Sequence, residues 1–457
     1  NRLLISYALI ISQFASLGVT NVTMSLFPYF RNRYLQHHGF LKLSIIVALM
    51  GFIFVCLIFL IIKPFIVQNE ESQLFNLYIW YVLPLTFFFA FFNIFEAYNR
   101  VIYDSVTGIF LKEFLQRFLI LLAVLIYSYG QFEFSCFVFL YFFALSIPTV
   151  FLIAKIKKSG QLFLTNPISS IDKTFRHEIA IVSFFGILQG FSLIAVSNID
   201  VVMLSWYVDL DLIGIYATNV VFGILIIIPS RPLMKISSTI LANAWKENDM
   251  GVISKIYYKS CLSQYIIAMF IFIGVWSNIH NLYSILPQGF EQGKWVVFFI
   301  MLANLSEMLT GLNGTIINTS RYYKASALFI GLLVLMIIGL NTILIPVFGI
   351  TGAAIGVFIS NASNSFFKYL FLYRKFKMNP LDIKFVYISI FGMLSYWFVS
   401  LLPILDPFIL DSVVRSSLIT ALFGLFIYTF KILPETNIFI QKTISNILNK
   451  IFIKIKL

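Results

Sequence analysis

The chain has 457 residues, of which 60% are hydrophobic and only 11% are charged, whereas a soluble domain carries about 25% charged residues. A soluble fold of this length could not hide so much apolar surface, because the accessible surface still grows with chain length. The composition therefore excludes a soluble globular protein and predicts an all-α protein that crosses a lipid bilayer many times.

The formal net charge of +13 has the sign expected of a nucleic-acid-binding protein. Here, however, the basic residues flank apolar segments, where they act as topological anchors facing anionic lipid. We therefore expect membrane lipids, and no nucleic acid, among the partners. Cys56, Cys136 and Cys261 have neither metal-site nor disulfide spacing, so no metal and no cofactor are expected.

Polar residues separate thirteen apolar segments, and a helix needs roughly 20 such residues to cross a bilayer. The first five segments are residues 3–30, 40–65, 77–98, 113–129 and 134–154. The next six are residues 179–207, 213–242, 256–276, 295–318, 325–347 and 352–373. The last two are residues 385–402 and 413–432.

Basic residues are divided unequally between the two sides of this predicted topology. One set of alternate connections, with the C-terminal tail, contains 28 of the 32 Lys and Arg residues. That count includes Lys368, taken as an anchor at a helix end. Cytoplasmic connections carry the excess of Lys and Arg, so this side and the C-terminus are predicted to be cytoplasmic. The other side holds Arg2, Lys63, Lys294 and Arg415.

The two chain ends extend this topology. The chain begins at Asn1 and enters an apolar segment directly, and an odd number of helices places Asn1 on the outer face. We expect a fourteenth helix upstream, which would return the N-terminus to the cytoplasm. In residues 436–457 lysines interleave with Ile and Leu, which predicts a basic amphipathic helix on the inner leaflet.

Three acids within or near the apolar segments are candidate functional residues, because an ionisable group in mid-membrane costs about 2.5–3.5 kcal/mol on insertion scales. Glu96 lies near the cytoplasmic end of the third segment, and Asp200 toward the outer end of the sixth. Glu307 follows Asn304 by three residues on the ninth, so both project from one helix face. These acids either make structural hydrogen bonds between helices or line a cavity and bind a coupling proton or sodium ion.

Six arginines at the cytoplasmic helix ends are the second candidate set. Either they are topological anchors, or some of them converge on a phosphate group at the inner mouth, because the guanidinium fork binds phosphate in a bidentate manner. They are Arg31, Arg33, Arg100, Arg117, Arg231 and Arg321.

Enzymatic motifs are absent from the sequence: it has no Gly-rich phosphate loop, no nucleophile elbow and no His–Glu metal pattern. The connections are also too short to form a soluble domain. We therefore expect a protein that is not an enzyme and whose recognition occurs within the membrane or at its edges.

Three stretches resemble the bacterial polysaccharide and O-antigen flippases of the multidrug, oligosaccharidyl-lipid and polysaccharide exporter superfamily. Residues 27–33, FPYFRNR, with HGFL at 38–41, are similar to the junction of helices two and three in that family. Residues 200–216, DVVMLSWYVDLDLIGIY, look like the junction of helices seven and eight. Residues 348–356, FGITGAAIG, resemble the start of helix twelve.

The resemblance implies fourteen helices, arranged as two six-helix lobes related by a pseudo-twofold axis and a terminal helix pair. It assigns residues 1–155 to the N-terminal lobe, 156–178 to a cytoplasmic linker, 179–376 to the C-terminal lobe, 377–435 to the extra pair and 436–457 to the tail. Such lobes would open alternately to either side of the membrane.

The resemblance also implies a substrate, an undecaprenyl-diphosphate-linked oligosaccharide flipped from the cytoplasmic to the outer leaflet of a bacterial plasma membrane. Partners in the assembly of O-antigen, capsule or exopolysaccharide are expected with it. Lipid flippases of this family commonly have cationic residues deep in the cavity, and this sequence departs from that pattern, since its arginines lie near the inner ends.

Two other functions remain open at the level of sequence. An ion-coupled exporter of drugs or metabolites could have the same fold and use Glu96, Asp200 and Glu307. A membrane-embedded O-antigen polymerase or ligase is the third alternative, although such enzymes usually carry a large outer loop that this chain lacks.

Overall fold

The computed structural model describes residues 2–69, 73–104, 106–130, 132–164 and 173–432. Over these residues the protein is built from helices and connecting turns, without a β-strand. Nine of the helices are long and apolar enough to cross a membrane, or up to eleven if each of two bent pairs is one span. This confirms an all-α multi-pass membrane protein; the number thirteen stays a prediction, and the predicted tail, 436–457, lies outside the described residues.

Packing divides the chain into two compact units, Asn1–Ile213 and Gly214–Leu457. The helices of the first unit are α1 (Arg2–Ala15), α2 (Val19–Phe30), α3 (Phe40–Asn69), α4 (Gln73–Tyr78), α5 (Val82–Val101), α6 (Val106–Phe110), α7 (Gln116–Tyr129), α8 (Phe134–Lys158) and α9 (Lys173–Leu204). The lobe boundaries implied by the resemblance remain a prediction.

In the first unit, α1 packs against α3, α5 and α9, and α5 packs against α8. The helix α9 approaches α1 and α2 closely, because glycines of α9 leave room for polar side chains of the other two helices. A Cβ at Gly186 would lie 2.8 Å from Cβ of Asn21, and a Cβ at Gly190 would lie 2.6 Å from Oε1 of Gln13. Small residues that let helices approach closely are typical of membrane helix interfaces.

The second unit continues with α10 (Leu210–Ile224), which begins just before the boundary. It then contains α11 (Ser230–Glu247), α12 (Met250–Ser277), α13 (Ile279–Tyr283), α14 (Lys294–Thr310), α15 (Asn313–Thr319), α16 (Tyr323–Phe376), α17 (Ile383–Ser400) and α18 (Phe408–Thr429). The helix α14 packs along α16, and α12 packs against α14, α17 and α18. Their shared core includes the fully buried Tyr257, Cys261 and Met301.

Several predicted segments are interrupted. Residues 3–30 form α1 and α2, bent by 51°, and α9 is bent by 49° between Ser192 and Ile194. Residues 213–242 form α10, a 3₁₀ turn and α11, and residues 295–318 form α14 and α15. Apolar runs report which residues face lipid or protein, but they do not report where the backbone bends.

The predicted segments 325–347 and 352–373 are the two arms of α16, which reverses direction at Gly349 (φ 56°, ψ −134°). A Cβ at Gly352 would overlap the carbonyl oxygen of Leu344, eight residues earlier, and one at Gly356 would overlap Oδ1 of Asn341. In a straight helix residues eight apart are about 12 Å from each other. The arms therefore form an antiparallel hairpin.

Candidate functional site

A cluster of polar side chains lies within the second unit, where α14 ends and α15 begins. We call it the α14–α16 polar cluster; its members are Asn304, Glu307, Thr310, Asn313, Asn364 and Lys368. Asn304 donates from Nδ2 to the carbonyl oxygen of Gly223 (2.9 Å), and Asn313 donates to Oγ1 of Thr310 (2.9 Å). These bonds join α14 to α10 and to α15, so the cluster is built from three helices besides α16.

The charged members of the cluster are Glu307 and Lys368. With the Asn364 amide oriented to satisfy both of its atoms, its oxygen accepts from Nζ of Lys368 (3.0 Å) and its nitrogen donates to Phe329 O (3.1 Å). Lys368 and Glu307 attract each other electrostatically without forming a direct ion pair. Both residues are half-buried.

The helix break beside the cluster depends on Gly311. Its backbone has φ 56° and ψ −119°, a conformation that only glycine adopts readily. A Cβ there would lie 2.7 Å from Sγ of Cys261 on α12. Helices broken at mid-span are where transporters commonly bind substrate and coupling ions, because irregular backbone in a membrane is tolerated only where it is buried in protein or lines a cavity.

Lys368 is the functional candidate that the sequence reasoning missed. It was counted as a cytoplasmic anchor, yet it lies on the second arm of α16, eight residues before the helix ends at Phe376. Its Nζ lies 3.9 Å from where a Cβ at Gly314 would be, so it reaches toward α15. The available signal was the spacing of four between Asn364 and Lys368, which places both on one helix face. Lys368 therefore joins Glu307 as a candidate site residue.

The other two predicted acids lie elsewhere. Glu96 forms an ion pair with Arg100, one turn later on α5. Asp200 is buried on α9, two residues after Asn198, which accepts a hydrogen bond from Ser6 on α1 (3.3 Å). Because Thr86 contacts Ala8 near that level, Glu96, ten residues further along α5, lies roughly 15 Å away from it along the helix axis. The structure does not bring Glu96 and Asp200 together.

The predicted arginines are also dispersed. Arg31, directly after α2, donates from Nη2 to Val101 O (2.7 Å), and its guanidinium lies 4.5 Å from the Tyr103 ring. It therefore ties the chain that follows α2 to the end of α5. Arg100 pairs with Glu96, and Arg117 pairs with Glu113 (2.6 Å). The remaining three, Arg33, Arg231 and Arg321, are exposed, and Arg321 lies over the Tyr322 ring.

A second charged network joins α13 to α18. Arg415 and Asp411 are almost completely buried and are 2.7 Å apart. Arg415 also donates to the carbonyl oxygens of Val399, Leu402 and Pro403 (3.0 Å each), while His280 and Asn281 approach Oδ2 of Asp411. The two charges are neutralised and their hydrogen bonds are satisfied, which is the pattern of a structural connection. Arg415 had been assigned on sequence only to the outer side.

The comparisons with known proteins concern the fold. Neither the models of protein families nor the curated protein sequences match this chain. Among solved structures, the lipid II flippase MurJ in an inward closed conformation matches with a TM-score of 0.68 and 12% identity, over 94% of this chain and 97% of that one.

Two further solved structures match over most of their length. An inward-facing multidrug resistance transporter of the MATE family, in the MOP superfamily, matches with a TM-score of 0.61 and 12% identity, over 86% of this chain and 88% of that one. A MOP superfamily transporter from Pyrococcus furiosus, described by the reverse polarity of its binding pocket, gives 0.51 and 14%, over 86% of each chain. The chain therefore has the fold of MOP superfamily transporters, and the solved structures that share it are transporters and flippases.

Proposed function

We propose that this protein flips an undecaprenyl-diphosphate-linked oligosaccharide from the cytoplasmic to the outer leaflet by alternating access. The observation that carries the proposal is Lys368, a cation within a membrane-spanning helix. Among the described residues its hydrogen-bond partner is neutral Asn364, and it makes no direct ion pair with Glu307. A lysine in such a place binds phosphate as a point charge, and the interaction is stronger there than in water. The similarity in fold to a lipid II flippase, over nearly the whole of both chains, supports the same substrate class.

Glu307 has a complementary role in the proposed cycle. A diphosphate bound to Lys368 is repelled by an ionised Glu307, since like charges close together in low dielectric oppose each other. Uptake of a proton or a sodium ion by Glu307 removes that repulsion. Binding of the coupling ion and of the lipid-linked diphosphate would then favour each other, and release of one would promote release of the other.

The six arginines act before this step in the proposal. Arg100 and Arg117 lie on α5 and α7 of the first unit and Arg231 on α11 of the second, whereas Arg31 and Arg321 lie just outside helix ends. Together with Arg33 they raise the local concentration of anionic headgroups at the cytoplasmic ends of the helices. Their exposed positions suit weak capture, whereas Lys368 suits specific binding.

The experiment that tests the function is leaflet exposure of a polyprenyl-diphosphate oligosaccharide in liposomes containing the protein. We expect protein-dependent flipping, which Lys368→Gln reduces at least about tenfold, the factor expected for loss of one charge-assisted hydrogen bond. Lys324→Gln is the matched control, because Lys324 is exposed near the start of the same helix. Equal flipping by both variants would remove Lys368 from the mechanism, and no flipping above empty vesicles by the native protein would reject the function.

An ion-coupled exporter of cationic drugs or metabolites is the second candidate, and Glu307 favours it. A carboxylate next to a helix break could bind an organic cation, with Lys368 modulating its charge. Movement of a small cationic drug that is driven by an imposed proton gradient, without flipping of the lipid-linked oligosaccharide, would support this alternative. The same liposomes test both functions.

A further inference from the structure

A charged cleft opens at one end of the first unit, between the last turns of α5 and the start of the α6–α7 segment. Its volume is 220 Å³, somewhat below the range of about 300–1,000 Å³ typical of pockets for drug-sized ligands. It is lined by Phe92, Glu96, Arg100, Gly108, Ile109, Lys112 and Glu113. We call it the α5–α6 cleft.

Two local features of the backbone form this cleft. A Cβ at Gly108 would lie 2.5 Å from Cγ of Glu96, so only glycine lets α6 approach the acid so closely. Directly after α6, residues Leu111–Leu115 form a π-helical turn, which contains Lys112 and Glu113. Such turns are rare and often occur at functional sites.

The charges in the cleft alternate in sign. Arg100 donates to Oε1 of Glu96, and Arg117 donates to Oε2 of Glu113 (2.6 Å), so each carboxylate uses one oxygen for its arginine. Lys112 lies 6.0 Å from the centre of the Phe92 ring, and no acid of the described residues forms an ion pair with it. The cleft therefore offers cationic donors for a phosphate and, beside them, carboxylate oxygens for a cation.

We propose that the α5–α6 cleft binds the headgroup of a phospholipid that carries both a phosphate and a primary ammonium group, as in phosphatidylethanolamine. Lys112 and Arg100 bind the phosphate, and the second oxygens of Glu96 and Glu113 accept hydrogen bonds from the ammonium. A primary ammonium can donate these bonds, whereas the quaternary ammonium of phosphatidylcholine has no N–H to donate.

The surface beside the cleft indicates a lipid rather than a soluble ligand. Phe110, Phe114 and Phe118 are 53%, 59% and 47% exposed and stack on one another along the α6–α7 segment, with ring centres 5.2 and 6.3 Å apart. Aromatic rings are favoured at the membrane interface, and this row can lie along acyl chains. It adjoins Ile109 and Glu113 in sequence, so headgroup and chains would contact neighbouring residues.

This site is distinct from the proposed transport site. A diphosphate in the α5–α6 cleft would lie against Glu96 and Glu113, whose negative charges oppose a dianion. In the α14–α16 polar cluster, the acid of the described residues that interacts with Lys368 is Glu307, which an ion can neutralise. The cleft thus selects a headgroup that carries both a negative phosphate and a positive ammonium. Its occupancy does not depend on the proposed flippase function.

The experiment uses the full chain reconstituted in vesicles of equimolar phosphatidylethanolamine, phosphatidylcholine and phosphatidylglycerol. Phospholipid retained after extraction into mild detergent is identified by native mass spectrometry. We expect one phosphatidylethanolamine per chain, retained about tenfold over each of the other two lipids. Lys112→Gln and Glu113→Gln should each abolish this preference. Lys158→Gln, which changes an exposed lysine at the end of α8, should leave it unchanged.

Four outcomes would overturn the proposal. Equal retention of phosphatidylglycerol would mean that the phosphate alone is recognised, and equal retention of phosphatidylcholine would remove the ammonium contacts. An unchanged preference in both cleft variants, with size-exclusion profiles like that of the native protein, would locate the bound lipid elsewhere. Displacement of the lipid by an equal concentration of soluble glycerophosphoethanolamine would show that the acyl chains contribute nothing.

Discussion

At the scale of single residues, Glu307 and Lys368 are two opposite charges on the neighbouring helices α14 and α16. Their charges attract without direct contact, and an arrangement of this kind can be completed by a ligand. The pair Asp411 and Arg415 is the opposite case, since it is in contact and fully hydrogen-bonded. Two pairs of the same residue classes therefore predict different effects of substitution.

Glu307→Gln keeps the shape of the side chain and removes its negative charge. If Glu307 binds the coupling ion, transport in this variant becomes independent of an imposed proton or sodium gradient, because no ionisable group remains to bind the ion. The measurement is the flipping rate in liposomes with and without each gradient.

Asp200→Asn and Glu96→Gln are the comparisons for that experiment. Asp200 was predicted from sequence to share the coupling role, so loss of gradient dependence in Asp200→Asn would extend that role to the first unit. Glu96 is paired with Arg100, and its variant should keep the dependence. A gradient-dependent Glu307→Gln variant would make Glu307 a structural residue.

Asp411→Asn should destabilise the protein strongly. Removing one partner of a buried ion pair costs about 3–5 kcal/mol, because the other charge stays buried and uncompensated. We expect a lower midpoint of thermal unfolding in detergent than for Asp211→Asn, which removes an exposed acid. Equal midpoints would show that the buried network adds no stability.

At the scale of elements, glycines decide where helices stop. Gly311 ends α14 beside the α14–α16 polar cluster, and Gly349 reverses α16. Both have positive φ, so the breaks are properties of the residues and not only of their surroundings. The apolar run across Gly311 carries no sign of the break other than the glycine itself.

Gly311→Ala should lower both stability and transport. The alanine is strained at φ 56°, which costs on the order of 1–3 kcal/mol, and its Cβ would press on Cys261. Gly331→Ala is the matched control, because Gly331 is helical and has open space at its Cβ position. Thermal unfolding in detergent checks the prediction, and a Gly311→Ala variant as stable as the control would contradict the strain argument.

At the scale of the whole molecule, the positive-inside distribution predicts an orientation that labelling can test. In a protein whose three cysteines are replaced by alanine, Lys158→Cys should react with a membrane-impermeant maleimide only after the membrane is opened. Asp211→Cys should react in intact cells, because its connection is predicted to be on the outer side. Both positions are exposed, so burial would not prevent labelling. A reversed pattern would invert the topology and, with it, the proposed direction of flipping.

The sequence by itself determined that this is a multi-pass helical membrane protein, because so apolar a chain has only lipid in which to expose its surface. It also pointed to the superfamily whose fold the structure shares, through three helix junctions and a consistent helix order. It identified Glu307 as a candidate, since an acid inside an apolar segment stands out in any sequence.

Only the tertiary structure decided which polar groups meet. Lys368 was counted among the anchors, and the reach of its side chain toward Asn364, Gly314 and Glu307 depends on how α14, α15 and α16 pack. The burial of Arg415 and the α5–α6 cleft likewise depend on contacts between residues distant in sequence or on a rare helical turn. The pattern of apolar residues indicates whether a helix face contacts lipid, protein or water. Which groups pair with each charge depends instead on where helices break and how they pack.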